Sequence, residues 1–374
     1  MRSLPFIVTL CHIICQTTLA STKNCLPQEC AFEEFEPRSI ACTYGSFTTV
    51  PDFSKCGIEI VGLIFDTTSI VNLTDNSLPP GLQSLIFLSN PLGYISEGAF
   101  NNCATTLVNL TFDMSLYRII PSALAQLTSL KYLDISYERS LNWNIPVLKQ
   151  IGRTITFLNI KYLRLSTWPS WLQYFTALSS LEIFHSTLSD INDQVLSHVA
   201  NQMIDLKVTH SYFTFVPTIV SSLINLDTLS FANNMITKIE NLPSKLTFLE
   251  FNYNQITEIT DQTFSNLTNL QNLLISYNPI ARISPNAFAN NPLISYLMLE
   301  GTNLTRVPLA LMSLMNIGIL FLDDSDYMVC TCEEASLMYW FNKTPNMQTY
   351  GGCGGDIDMK DFFTKLAPGC PEIS

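Results

Sequence analysis

Charge is scarce in this chain. Asp, Glu, Lys and Arg make up 13% of 374 residues against 47% apolar ones, so the chain can bury a sizeable core and disorder is excluded. Basic residues are the scarcer sign, 19 against 31 acidic, and no basic stripe occurs. A net charge of −12 repels phosphate backbones, which argues against nucleic acid as a partner. The 14 glycines are scattered and histidine occurs four times. No phosphate-cradling glycine loop, nucleophile motif or full metal-ligand set is present, so no enzyme, cofactor or metal is expected. Long apolar runs are also lacking beyond the first residues. Nothing later approaches the roughly 18–20 residues that cross a bilayer, and Gly369–Ser374 lacks a lipid-anchor tail, so no membrane span is expected.

What is present begins with a leader. Arg2 precedes an apolar run from Leu4 to Ile14, and small Thr18 and Ala20 suit signal-peptidase cleavage near Ala20–Ser21. A first core helix is the alternative, but no amphipathic period follows the run. Residues 1–20 are therefore read as a signal peptide, and the product as secreted and extracellular. Sequons at Asn72, Asn109, Asn266, Asn303 and Asn342 are candidate glycan sites. Cys11 and Cys15 leave with the leader. Eight of the other nine cysteines cluster at the two chain ends, the distribution of oxidised staples.

Between the clusters a motif LxxLxLxxNxL recurs twelve times. It starts at Ile60, Leu82, Leu107, Leu130, Ile155, Leu178, Met203, Leu226, Leu246, Leu270, Ile294 and Ile317. Positions 4 and 6 are apolar with one residue between them, so both face one side of a short strand. Equal units stack such strands in parallel about 4.8 Å apart, and their inward aliphatics form one core that no unit buries alone. Position 9 holds Asn90, Asn234, Asn254 and Asn278, whose amides can satisfy backbone groups of the turns. Glu138 and Leu163 break that rule. The segment from Glu138 to Arg153 is thus the expected place for distortion, unless the scaffold simply tolerates it. Pro121, Pro169, Pro217 and Pro308 mark tight returns, whereas Leu78, Phe100, Leu148, Leu196, Phe264 and Phe288 should stack beneath the convex side.

The pattern resembles extracellular leucine-rich-repeat proteins with cysteine-rich caps, over almost the whole mature chain. The expected fold is an α/β-type solenoid. It is a curved right-handed coil of about twelve repeats, with a parallel concave sheet and mostly loops or short helices on the convex side. Residues 21–59 form an N-terminal cap, 60–327 the repeats and 328–374 a C-terminal cap. For the C-terminal cap the resemblance implies Cys330 with Cys353 and Cys332 with Cys370, and a helix presenting a tryptophan; zinc on the CxC pair is the alternative. Cys25, Cys30, Cys42 and Cys56 admit three pairings. Cys103 and Cys56 sit at equivalent places two repeats apart, too far to bond, so Cys103 is a buried thiol or an intermolecular contact.

Positions 3, 5, 7 and 8 of each repeat should project onto the concave side. Position 8 gives Tyr137, Tyr162, His185, His210, Asn233, Tyr253 and Tyr277; position 3 gives Tyr132, Phe157, Phe248 and Tyr296; position 7 gives Phe184. Tyrosine anchors interfaces, so this stripe is the candidate ligand-binding surface. Strand propensity and cross-strand packing are the competing explanation. Charges on the face, Asp134, Lys161, Glu182, Asp205, Lys207, Glu250, Glu300, Asp323 and Asp324, are mostly acidic and favour a basic partner. His185 and His210 should be neighbours near Glu182 and Asp205, but no third metal ligand is fixed, and solvated histidines are the expectation. The function expected is recognition of an extracellular protein or peptide. A matrix role resembling small leucine-rich proteoglycans is the alternative, and a metal-dependent enzyme the remote one.

Overall fold

In the computed structural model the described residues are 25–36, 38–113, 119–136, 141–162, 165–190, 194–323, 325, 328–354 and 357–367. Residues 1–24, which include the expected signal peptide, and Tyr137, Glu138, Leu163, Asp324 and Cys370 lie outside them. The chain divides into two compact units, Met1–Leu163 with Tyr174–Ala177, and Arg164–Gln173 with Leu178–Ser374.

Strands β1 to β9 of the first unit span Cys30–Phe32, Ser39–Thr43, Gly62–Asp66, Asn72–Leu73, Ser84–Leu88, Tyr94–Ile95, Asn109–Phe112, Tyr132–Ser136 and Phe157–Lys161. Its main sheet has the order β1-β2-β3-β5-β7-β8-β9, parallel after an antiparallel β1–β2 pair, while β4 and β6 pair separately. The register stacks Leu63, Leu85, Leu110, Leu133 and Leu158 in one column. A second column runs Phe65, Phe87, Phe112, Ile135 and Ile160. All ten side chains are buried, and Phe65 stacks on Phe87 at 5.3 Å. Each full burial contributes about 1.5–3 kcal/mol, realised only because the next strand covers it.

In the second unit, β10 to β19 span Ser180–Phe184, Asp205–Thr209, Thr228–Ser230, Phe248–Glu250, Glu258–Ile259, Asn272–Leu274, Arg282–Ile283, Tyr296–Met298, Ile319–Phe321 and Gln348–Tyr350. The main sheet, β10-β11-β12-β13-β15-β17-β18-β19, is parallel and β14 pairs with β16. Leu181, Leu206, Leu229, Leu249, Leu273, Leu297 and Leu320 form its inner column. In both units the strand of each repeat begins two residues after the repeat start, from Gly62 to Ile319.

Parallel stacking leaves turn amides and carbonyls inside the coil, and the ninth position satisfies them. Asn254 donates to the carbonyls of Phe231 (2.9 Å) and Phe251 (3.0 Å) and accepts from Ile236 N–H (2.9 Å). Asn234 and Asn278 repeat these roles one turn away, Asn278 on Phe251 O and Ile256 N–H. Where serine replaces asparagine, Ser186 and Ser211 bond each other at 2.8 Å instead. Each rung therefore ties two repeats.

The four prolines each precede a 3-10 turn, at Ser122–Gln126, Ser170–Tyr174, Thr218–Ser222 and Leu309–Ser313. The irregular segment after Glu138 contains a helix, α1 (Ile145–Ile151), with Pro146 in its first turn, where no N–H is needed. It buries Val147, Leu148 and Ile151. At the N-terminal end the pairings are Cys25–Cys56 and Cys30–Cys42, with Cα separations of 5.0 and 4.0 Å. Cys330 pairs with Cys353, and Cys332 is disulfide-bonded. Helix α2 (Leu337–Lys343) buries Trp340, whose Nε1 donates to Leu314 O at 3.1 Å. Cys103 is a free thiol with no exposed surface, which rules out the intermolecular contact admitted from the sequence, and burial pushes its pKa up to about 12.

Asn254→Ala strands the buried Ile236 N–H and leaves the Phe231 and Phe251 carbonyls to Asn234 and Asn278 alone, so the expected loss is about 1–3 kcal/mol by equilibrium denaturation; a change below about 0.5 kcal/mol contradicts the rung. Cys103 should resist iodoacetamide until denaturant is added; labelling of the native chain contradicts its burial.

Candidate ligand-binding face

Along each strand the third and fifth residues point away from the core, but the eighth does not continue the strand. Thr67, Ser89, Tyr162, His185, His210, Asn233, Tyr253 and Tyr277 all have φ between 51° and 57°, and Gly301 has 60°. This left-handed turn is built into the ladder. In the second unit the amides of His185, His210, Asn233, Tyr253, Tyr277 and Gly301 donate to the carbonyls of Thr209, Ala232, Asn252, Ser276, Glu300 and Asp323, the seventh residue of the next repeat each time.

For an L-residue such backbone costs about 1–2 kcal/mol, and glycine or asparagine carries it best. Tyrosine and histidine at these positions are thus not explained by strand propensity, because the backbone is not extended there. Position 8 stands at the strand's end, where the turn holds the ring outward. Tyr162, Tyr253 and Tyr277 are 44%, 50% and 37% exposed, and His185 is exposed.

The remaining face residues are half-buried, and the rings gather in clusters rather than one open column. In the first unit Tyr132 stacks on Phe157, centroids 4.4 Å apart and planes within 9°. In the second, Phe184, His185 and His210 form a triangle of 4.4–4.7 Å contacts. Tyr253 stacks on Tyr277 at 4.5 Å, where Gly301 is required because a Cβ there would meet the Tyr277 ring at 2.4 Å. Phe248 is half-buried on β13. Tyr296 contacts Phe321, which stacks on Tyr350 at 4.5 Å. Phe321 and Tyr350 were missed. Phe321, at the fifth position of the last repeat, is flanked by Ile319, Leu320 and Leu322, which mask its alternation, and Tyr350 lies beyond the repeats, on a strand with no periodic signal.

The charges are largely spent on one another. Asp134, almost fully buried, accepts from Lys161 Nζ at 2.9 Å and Asn159 Nδ2 at 3.3 Å. Lys207 lies 2.6 Å from Glu182 and 3.5 Å from Asp205. Burial raises the Asp205 carboxyl against the pull of Lys207 and Ser180. On Lys207 burial acts downward, but the Glu182 hydrogen bond and the Asp205 charge outweigh it and raise the ammonium. Glu250 accepts from Ser230 and Asn252. Long-range steering by these groups is weaker than their number suggested. Among the described residues no group of three His, Cys, Asp or Glu side chains is placed to hold a metal ion. No described helix is long and apolar enough to cross a membrane. A cleft of about 1030 Å³ in the second unit is lined by loop residues including Trp168, Asp190 and Phe215, none of them from the ring clusters.

A leucine rich repeat family model matches residues 244–304, and a BspA type leucine rich repeat region (6 copies) matches residues 52–144. The chain is a leucine-rich-repeat protein. Rat (Rattus norvegicus) lumican is 28% identical over 208 residues, covering 54% of this chain and 53% of lumican. The chain thus spans about half the length of that relative. Bovine (Bos taurus) lumican is 24% identical over 70% of this chain and 61% of its own. In structure, a leucine-rich-repeat protein of Leptospira interrogans superposes with a TM-score of 0.62 at 20% identity, covering 81% of each chain. That likeness shows the fold alone.

Burial lowers the His210 pKa, the neighbouring His185 charge adds to the shift, and Glu250 opposes it. The unfolded chain then takes the proton first, so stability is intact above about 6.5 and is lost as pH falls toward the folded midpoint. NMR titration should place His210 below 6.5, and His185→Asn should raise it. A midpoint at or above the ordinary value contradicts the arrangement.

Proposed function

We propose that this leucine-rich-repeat protein is secreted and recognises a protein or peptide ligand through the rings on the outward face of its sheet. The observation that carries the reading is the Tyr253–Tyr277 pair: two exposed, stacked tyrosines on backbone that disfavours them. Stiff aromatic surface held outward by a hydrogen-bonded turn loses little entropy on binding and suits an interface anchor. Export is supported by the leader, by the disulfides and by five sequons whose asparagines are all exposed. In the second unit Phe184, His185, His210, Phe248 and Tyr296 belong to that proposed surface; Tyr132, Phe157 and Tyr162 are the corresponding outward rings of the first unit. A non-enzymatic role fits the polar chemistry of that face, where Ser180 and Ser230 donate to the carboxylates of Asp205 and Glu250 rather than to a histidine.

The test immobilises the mature chain and compares capture from extracellular fluid with that of Tyr253→Ala/Tyr277→Ala, after circular dichroism confirms that the variant folds. Losing both anchors should cost about 2 kcal/mol or more, roughly thirtyfold in Kd. Equal capture by both proteins contradicts the reading. Retention on fibrillar matrix that ignores the tyrosines would favour the matrix-type role instead. Chelator-sensitive turnover would favour an enzyme.

A further inference from the structure

The five exposed sequon asparagines differ in where the fold puts them. Asn72 lies in β4, outside the main sheet. Asn266 donates its amide to Leu242 O, Asn303 follows the Gly301 turn, and Asn342 sits on α2. Asn109 instead opens β7, a strand of the first unit's main sheet. Leu110 and Phe112 point into the core, so alternation turns Asn109 to the outward face. Its register partners are Ser84 on one side and Tyr132 on the other, with Phe157 next beyond. Neighbours in register are about 4.8 Å apart, less than the width of one hexose, so an oligosaccharide rooted at Asn109 overhangs several strands.

We propose that Asn109 carries an N-linked oligosaccharide that covers the outward face of the first unit, withholding the Tyr132–Phe157 stack from ligand and leaving the second unit's rings as the open recognition surface. This rests on the secreted reading, since the sugar donor is met only on export. In the transfer, Asn109 Nδ2 attacks C1 of a lipid-pyrophosphate-linked oligosaccharide. The N–C bond forms, the C–O bond to the pyrophosphate breaks, and the amide proton leaves with the pyrophosphate. Thr111, whose hydroxyl completes the sequon, is only 8% exposed in the folded unit. Transfer therefore precedes the closing of β7 against its neighbours, during translocation.

The full chain secreted from animal cells is mapped by enzymatic glycan release in heavy-oxygen water. Asn109 should be occupied in most molecules. Sugars at the other sequons with Asn109 bare would overturn the proposal and leave the secreted reading standing, whereas no sugar at any site would overturn both. Hydroxyl-radical footprinting of the occupied protein then tests the cover. Oxidation of Tyr132 and Phe157 should rise several-fold in Asn109→Gln, and equally after enzymatic deglycosylation of the folded wild type, with Tyr253 and Tyr277 unchanged. No rise at Tyr132 and Phe157 in a sample known to have been occupied overturns the shielding.

Discussion

A buried backbone polar group must find a partner, and in a stack of short parallel strands that requirement decides everything else. The inner leucines supply the driving force, but leucine alone would tolerate slippage of one repeat against the next. The ninth-position amide removes that freedom. Asn254 holds carbonyls from two successive repeats while its own oxygen takes an amide from the preceding turn. Asn234 and Asn278 do the same in phase, so within the second unit the register of one repeat is dictated by the next.

The proposed recognition surface is a by-product of that register. Because the ladder continues through the eighth residue, the chain must turn left-handed at the same point in repeat after repeat, and the eighth side chain is thrown outward at the strand's end. A position whose backbone is set by the scaffold is free to vary in chemistry. Here it holds Tyr162, His185, His210, Tyr253 and Tyr277. Glycine at 301 shows the same constraint used in reverse: the missing side chain makes room for the ring of the repeat before it.

The inward columns were legible from the spacing alone, since Leu63, Leu181, Leu249 and their equivalents follow a period of two within a period of twenty to twenty-five. The proline returns and the asparagine rungs were legible for the same reason: each is a local chemical signature repeated in phase. What could not be read were features set by neighbours in space. The left-handed turn at position 8 follows from the ladder and not from any residue preference, as Tyr162 and His185 demonstrate. Asp134 read as a surface charge because its position faces outward, yet Lys161 and Asn159 from the next repeat cover it. Tyr350 joins the ring stripe through a strand outside the repeats. The N-terminal pairing of Cys25 with Cys56 depends on a chain path that spacing does not encode.

Excision of a single repeat tests the stacked register most directly. Removing Leu246 through Asn269 takes out one unit in phase, so Leu229 meets Leu273 and Asn234 meets Asn278 as they met their former neighbours. The account predicts a cooperatively folded, shorter chain with undiminished strand signal per residue. Removing only Leu246 through Thr257 deletes half a turn, throws the leucines out of phase and should abolish cooperative unfolding of the second unit. Equal tolerance of both deletions, or equal collapse, would contradict the account.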